Sequence, residues 1–174
     1  GAGNTSSATN DEALDLNVDT VAASSATGVY LREVTAGGAI EVNTAAAVSV
    51  DIESVVRSDF DSSTTDVSED RSLLSLEDLT TSTNGPIKLV AEAGTITIEG
   101  GADTAGVSAN GTGDVLLDAQ GTDNDVVIDA AVSSGTGNVT ITAADDVDGR
   151  SMIMGAARRV RRGPASNRRW PVPT

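Results

Sequence analysis

Apolar and polar residues alternate with a period of two along much of the chain. The segments 14–18, 40–42 and 48–52 place Leu, Ile or Val at every second position, with polar or acidic residues between them. Strict alternation puts the apolar side chains on one face of a half-buried strand. Gly, Asn and Asp, which suit turns, separate these stretches. The pattern predicts an all-β chain of short strands.

The second half of the chain repeats one strand-forming unit. The unit is a Gly or Asn, then apolar residues at alternate positions, then a closing Ala or Gly, and its copies are GPIKLVA (85–91), GTITIEG (94–100), GDVLLDA (113–119), NDVVIDA (124–130) and GNVTITA (137–143). Gly85, Gly113 and Gly137 are 28 and 24 residues apart, which is typical of repeat architectures. The intermediate copies predict two strands in each long period.

This repetition favours a right-handed parallel β-solenoid. Two alternating apolar residues and one Ala cannot form a core alone, but stacked copies make a continuous apolar ladder. The alternative is an antiparallel β-sandwich, which also shows alternation and frequent turn signals. A sandwich needs no recurring internal phase and usually fills its core with large residues, whereas this chain has one Trp, one Tyr and one Phe. We therefore expect the solenoid.

Three of the repeated strands resemble a known family. They are GNVTITA (137–143), GDVLLDA (113–119) and GTITIEG (94–100). They resemble the β-helical repeats of filamentous-haemagglutinin-like adhesins and related giant bacterial surface proteins. The resemblance covers residues 85–147 well and 26–56 loosely, and it does not extend to 57–84 or 148–174. It implies a right-handed parallel β-helix that serves as an exported stalk or adhesive shaft.

Charge and composition divide the chain into five segments. They are a polar low-complexity segment (1–13), solenoid strands (14–56), an acidic Ser/Thr/Asp-rich insertion loop (57–84), solenoid repeats (85–148) and an Arg/Pro-rich basic tail (149–174). Residues 1–149 contain 4 basic and 26 acidic residues and carry −22, whereas residues 150–174 carry +7 with no acid, which sums to the net charge of −15. So sharp a change predicts a boundary near Gly149.

The basic tail has three interpretations. Its clustered Arg residues suit polyanions or anionic surfaces. They also suit packing against the acidic solenoid of the same or a neighbouring chain. The third interpretation is foreign or out-of-frame sequence, since Arg/Pro/Gly/Ala-rich text without acids is typical of a shifted reading of GC-rich DNA. We do not expect nucleic-acid binding, because the acidic body would repel a duplex.

The missing residue types exclude several kinds of site. The chain has no Cys and no His, so disulfides, thiolate or imidazole metal sites, Cys nucleophiles and nucleophile–histidine dyads are excluded. No stretch approaches 18 consecutive apolar residues, so no membrane span is expected.

Carboxylates are the remaining candidates for chemistry. Asp59, Asp61 and Asp70 occupy positions one, three and twelve of an imperfect EF-hand-like spacing, and Asp123 and Asp125 lie in a Gly/Asp-rich turn, so these five are the candidate Ca²⁺ ligands. A solvated acidic surface is the alternative. If the chain is an enzyme, a carboxylate-dependent polysaccharide hydrolase or lyase fits best, and its candidate catalytic residues are Asp123, Asp125, Asp145 and Asp146.

The leading functional hypothesis is a structural or adhesive section of an exported bacterial surface protein, without catalysis and without a required cofactor. The alternatives are a Ca²⁺-binding extracellular module and the polysaccharide enzyme. We expect an extracellular or cell-surface location, with the export signal outside this sequence. Expected partners are a second copy through the solenoid ends, a host or surface polysaccharide or protein, and acidic surfaces for the basic tail.

Overall fold

The structure, a computed structural model, describes residues 13–51, 56–58, 64–66, 70–73, 75–149, 151 and 153–163. Within these ranges it is all β, with twenty strands and no helix. Sixteen of the strands wind through five successive coils and the start of a sixth. Each complete coil contributes one strand to each of three sheets.

The strands follow one another around the solenoid in a fixed order. The first two coils contain β1 (Leu14–Leu16), β2 (Thr20–Val21) and β3 (Ala23–Ser25), then β4 (Val29–Glu33), β5 (Ile40–Val42) and β10 (Leu79–Thr81). The third coil contains β11 (Ile87–Ala91), β12 (Ile96–Ile98) and β13 (Ala105–Ala109). The last coils contain β14 (Val115–Ala119), β15 (Val126–Ile128), β16 (Ala131–Ser134), β17 (Val139–Ala143), β18 (Val147–Gly149), β19 (Ile153–Met154) and β20 (Arg158–Arg161).

All three sheets are parallel. Sheet 1 has the order β1-β4-β11-β14-β17-β20, sheet 2 has β2-β5-β12-β15-β18, and sheet 3 has β3-β10-β13-β16-β19. Neighbouring strands in each sheet come from successive coils and pair in register, as in Leu89 opposite Leu117. This arrangement confirms the predicted parallel β-solenoid. The antiparallel sandwich is wrong for these sheets, because every pair in them is parallel.

The core is a set of side-chain columns running along the solenoid. In sheet 1 one column is Leu31, Leu89, Leu117 and Ile141. These four side chains are at most 3 % exposed. Sheet 2 contributes Ile40, Ile96, Val126 and Val147 in the same way. Each coil buries the apolar faces of its neighbours, so the ladder predicted from the repeated unit is the core.

Each coil has three strands, not the two predicted. The additional strands, β13 and β16, have the sequences AGVSA and AVSS. Ala, Gly and Ser are too small to show a clear apolar–polar alternation, so these strands carry little sequence signal. Val107 and Val132 nevertheless point inward and are fully buried.

The repeated glycines stack at the corner before sheet 1. A Cβ on Gly113 would overlap the carbonyl oxygen of Gly85, and a Cβ on Gly137 would overlap that of Gly113. Successive coils therefore approach backbone to backbone at this corner, which only glycine permits. This contact explains why the copies of the unit that form sheet 1 begin with Gly85, Gly113 and Gly137.

Four of the strands that the structure describes lie outside the solenoid, between β5 and β10. They form two antiparallel pairs, β6 (Val48–Asp51) with β9 (Asp70–Leu73) and β7 (Val56–Ser58) with β8 (Thr64–Asp66). The segment 48–51, assigned above to the solenoid, thus pairs with the insertion. Alternation alone does not distinguish parallel pairing in the solenoid from antiparallel pairing in the insertion, because side chains alternate between the two faces of a strand in both. The chain rejoins the solenoid at Leu79.

Parallel pairing also continues beyond residue 149. β19 pairs with β16, and β20 pairs with β17. The first part of the basic segment therefore contributes strands to sheets 3 and 1, although its composition differs sharply from that of the preceding coils.

Candidate functional site

Two of the candidate catalytic carboxylates lie one above the other at the corner that precedes sheet 2. Asp125 and Asp146 come directly before the first buried residues of β15 and β18. The amide of Asp146 donates a hydrogen bond to Asp125 Oδ1 at 2.9 Å. The amide of Asp125 donates to Thr95 Oγ1 at 3.2 Å. Thr95 and Asp125 thus each accept a bond from the next coil, and this Thr95–Asp125–Asp146 ladder holds the coils in register.

The other two candidates occupy turns at the same corner. Asp123 is exposed and has a left-handed backbone with φ 58°. The Asp145 amide donates to the carbonyl oxygen of Asn124 at 3.0 Å, and the Asp145 carbonyl oxygen accepts from the amide of Gly163 at 3.0 Å. These contacts are made by the Asp145 backbone. They join neighbouring coils, as the Asp125 carboxylate does.

A basic residue from the end of the described chain packs against this corner. Arg162 Nη1 lies 3.9 Å from Asp146 Oδ1, at ion-pair distance. Arg162 Nη2 donates to the carbonyl oxygen of Val147 at 3.0 Å. The guanidinium offsets part of the negative charge that Asp125, Asp145 and Asp146 bring to this corner.

The structure describes three of the five candidate Ca²⁺ ligands, namely Asp70, Asp123 and Asp125. Asp59 and Asp61 lie outside the described residues. Asp70 begins β9, opposite Asp51. Of the remaining two, Asp125 caps an amide and Asp123 is exposed. Across the ranges that the structure describes, no group of three or more acidic side chains is arranged to hold a metal ion.

The structure contains a second acidic corner that the sequence did not predict. It contains Glu77, Asp78 and Asp103, where the insertion returns to the solenoid. Asp78 is only 6 % exposed, and its Oδ1 has no hydrogen-bond partner among the residues that the structure describes. Burial, together with the negative charges of Asp103 and Glu77, raises the pKa of Asp78 to about 6. The carboxyl of Asp78 therefore changes its protonation state near pH 6.

Glu33, at the end of β4, has a buried carboxylate that accepts hydrogen bonds from backbone amides. Glu33 is 1 % exposed. Its Oε2 accepts a hydrogen bond from the Val18 amide at 3.0 Å, and its Oε1 accepts one from the Thr35 amide at 2.9 Å. Burial acts to raise the pKa of Glu33, but the hydrogen bonds from Thr35 and Val18 outweigh it and hold the pKa below its usual range. The carboxylate satisfies amides of two successive coils.

Charged side chains pair on the outer face of sheet 1. Arg32 Nε and Nη2 donate to the two carboxylate oxygens of Asp15 at 2.8 and 3.0 Å. Arg32 Nη1 lies 3.2 Å from Glu92 Oε1. The hydrogen bond from Arg32 holds the pKa of Asp15 below its usual range. Burial lowers the pKa of Lys88, opposed by the charge of Asp118.

Neither Glu33 nor Asp78 was predicted as a special residue, but the sequence does contain a signal for Glu33. Glu33 occupies the position that is Ala91, Ala119 and Ala143 in later coils. A long acidic side chain in a column of small residues indicates a special contact. Asp78 has no comparable signal, because the insertion interrupts the repeat immediately before it.

No protein-family model, no curated protein and no solved structure matches this chain. The resemblance to adhesin repeats therefore stays a prediction that rests on the repeated strands alone. None of the described residues forms a helix of the length and apolar character needed to cross a membrane.

Proposed function

We propose that this chain is a section of the shaft of an exported bacterial surface protein, where the solenoid serves as a structural or adhesive spacer. The observation that carries the proposal is the in-register stacking of five coils on three parallel sheets. Such a body grows in one dimension only, because each coil contacts just its two neighbours.

The interior of the solenoid suits a mechanical role. Columns such as Leu31, Leu89, Leu117 and Ile141 run through it without a break. Every added coil lengthens the body by one strand spacing, about 4.8 Å. A repeating chain of this kind sets a distance between its two ends, which is what a shaft must do.

Polar corner contacts support the same role. The Thr95–Asp125–Asp146 ladder and the hydrogen bonds between Asp114 and Asn138 each link side chains of one coil to amides of the next. They fix the register of neighbouring coils on the outside, while the apolar columns fill the inside. The acidic outer surface agrees with a location in contact with solvent, and the adhesin resemblance adds the expectation of export.

An antibody raised against the folded chain tests the proposal. Applied to intact cells of the organism that encodes the chain, it is expected to label the cell surface, and brief protease treatment of intact cells should remove the label. A cytoplasmic protein of the same cells serves as the control for lysis. Labelling that appears only after permeabilisation would contradict the proposal.

A further inference from the structure

We propose that two copies of this chain join head to tail, with β20 of one copy pairing in parallel with β1 of the next. These strands are the two edges of the six-stranded sheet 1. All strands of the sheet run in one direction. The β20 edge of one copy therefore matches the β1 edge of another without any reversal, which makes the contact heterologous and repeatable. The proposal concerns the two outer strands of sheet 1 as the structure describes it, and it holds whether or not the protein is exported.

Within the described residues, the apolar column of sheet 1 begins and ends with an exposed side chain. Leu14 pairs with Leu31, and Val160 pairs with Ile141, so Leu14 and Val160 are the two terminal members of the same column. Leu14 is 49 % exposed and Val160 is 44 % exposed, whereas the four residues between them are at most 3 % exposed. Placing Val160 against Leu14 of a second copy would cover both side chains and continue the column.

The same register brings opposite charges together on the outer face. Asp15 follows Leu14 and Arg161 follows Val160, so the proposed pairing places Arg161 beside Asp15 of the second copy. Within one chain, Asp15 already pairs with Arg32 of the adjacent strand across the same spacing. The Asp15 side chain remains 53 % exposed, which leaves room for a second guanidinium. The junction would therefore repeat an ion pair that the solenoid itself contains.

Net charge favours this contact over any pairing of like edges. β20 carries Arg158, Arg159 and Arg161 and no acid, while β1 carries Asp15 and no base. Two β20 edges would place these arginines against each other, which costs free energy. The alternative is that the arginines of β20 prevent another strand from pairing with this edge, as charged residues on edge strands often do. That role predicts a chain that stays monomeric.

Charge reversal at β20 provides the first test. Sedimentation equilibrium of the full chain should show concentration-dependent association, and Arg161→Glu should weaken it by roughly tenfold or more, because the introduced carboxylate would face Asp15. Arg159→Glu is the matched control. It makes the same change on the same strand, but Arg159 aligns with the uncharged Ala13 in this register, so its effect should be clearly smaller.

Cysteine cross-linking gives the second test, since the chain has no Cys of its own. Oxidation of a mixture of the Val160→Cys and Leu14→Cys chains should give a mixed dimer, because paired Cα atoms about 4.8 Å apart suit a disulfide. Leu16→Cys, two residues out of register, should cross-link poorly with Val160→Cys. A chain that stays monomeric, equal effects of the two arginine reversals, or linkage that favours Leu16 would overturn the proposal.

Discussion

At the scale of single residues, Asp78 is held in an unfavourable environment. Its backbone is left-handed with φ 63°, a conformation that Asp and Asn adopt more readily than most residues. Its carboxyl is buried beside Glu77 and Asp103, so its pKa rises to about 6. The folded state thus binds a proton more tightly than the unfolded state. The stabilising effect of this proton is complete below about pH 4 and is lost as the pH rises through about 6.

Replacing Asp78 with Asn should therefore stabilise the protein at pH 8 and have little effect near pH 4. Asn keeps the size and the backbone preference of Asp but carries no charge. The increase in the free energy of unfolding at pH 8 is limited to about 3 kcal/mol, since one pKa unit corresponds to about 1.4 kcal/mol. Thermal unfolding at the two pH values measures it. Asp129→Asn, a change at an exposed carboxylate, is the control, and a lower melting temperature of Asp78→Asn at pH 8 would contradict the assignment.

At the scale of elements, the corner before sheet 1 depends on stacked glycines. Gly113→Ala would drive a methyl group into the carbonyl oxygen of Gly85 on the preceding coil. Because backbone atoms of a packed coil cannot move aside, we expect a loss of about 1–3 kcal/mol in the free energy of unfolding.

Gly149→Ala is the matched control for that substitution. A Cβ at Gly149 would lie 3.3 Å from Ile128 Cβ, a tight contact without overlap. Urea denaturation of both variants gives the comparison. Equal stabilities for Gly113→Ala and the parent chain would show that the coils are not in backbone contact at this corner.

The strands that could be predicted are those in which large apolar side chains alternate clearly with polar ones. β14 and β17, with Val115, Leu117, Val139 and Ile141 at alternate positions, follow from the sequence. The third strand of each coil could not be found, because Ala, Gly and Ser give no periodic contrast. The roles of the candidate carboxylates could not be found either. A carboxylate such as that of Asp125 accepts a hydrogen bond from an amide of the next coil. The alternation within a single strand does not predict which residue of the next coil lies beside it.

At the scale of the whole molecule, the solenoid accommodates an insertion without losing register. β5 and β10 are separated in sequence by residues 43–78, yet β10 pairs in register with both β3 and β13. The interruption therefore leaves the order of the coils unchanged. The basic segment after residue 149 continues the same sheets, so the negative and positive parts of the chain share one architecture as far as Gly163.

The stacking of successive coils is the central claim, and cross-linking between outward-facing positions tests it most directly. Thr97 in β12 and Val127 in β15 are paired across sheet 2, at about 4.8 Å between strands. Oxidation of the monomeric Thr97→Cys/Val127→Cys chain should give an intramolecular disulfide, identified by mass spectrometry of the linked peptides. The Thr97→Cys/Asp129→Cys chain, two residues out of register, should not. A disulfide that forms equally in both chains, or only in the second, would contradict the parallel, in-register solenoid.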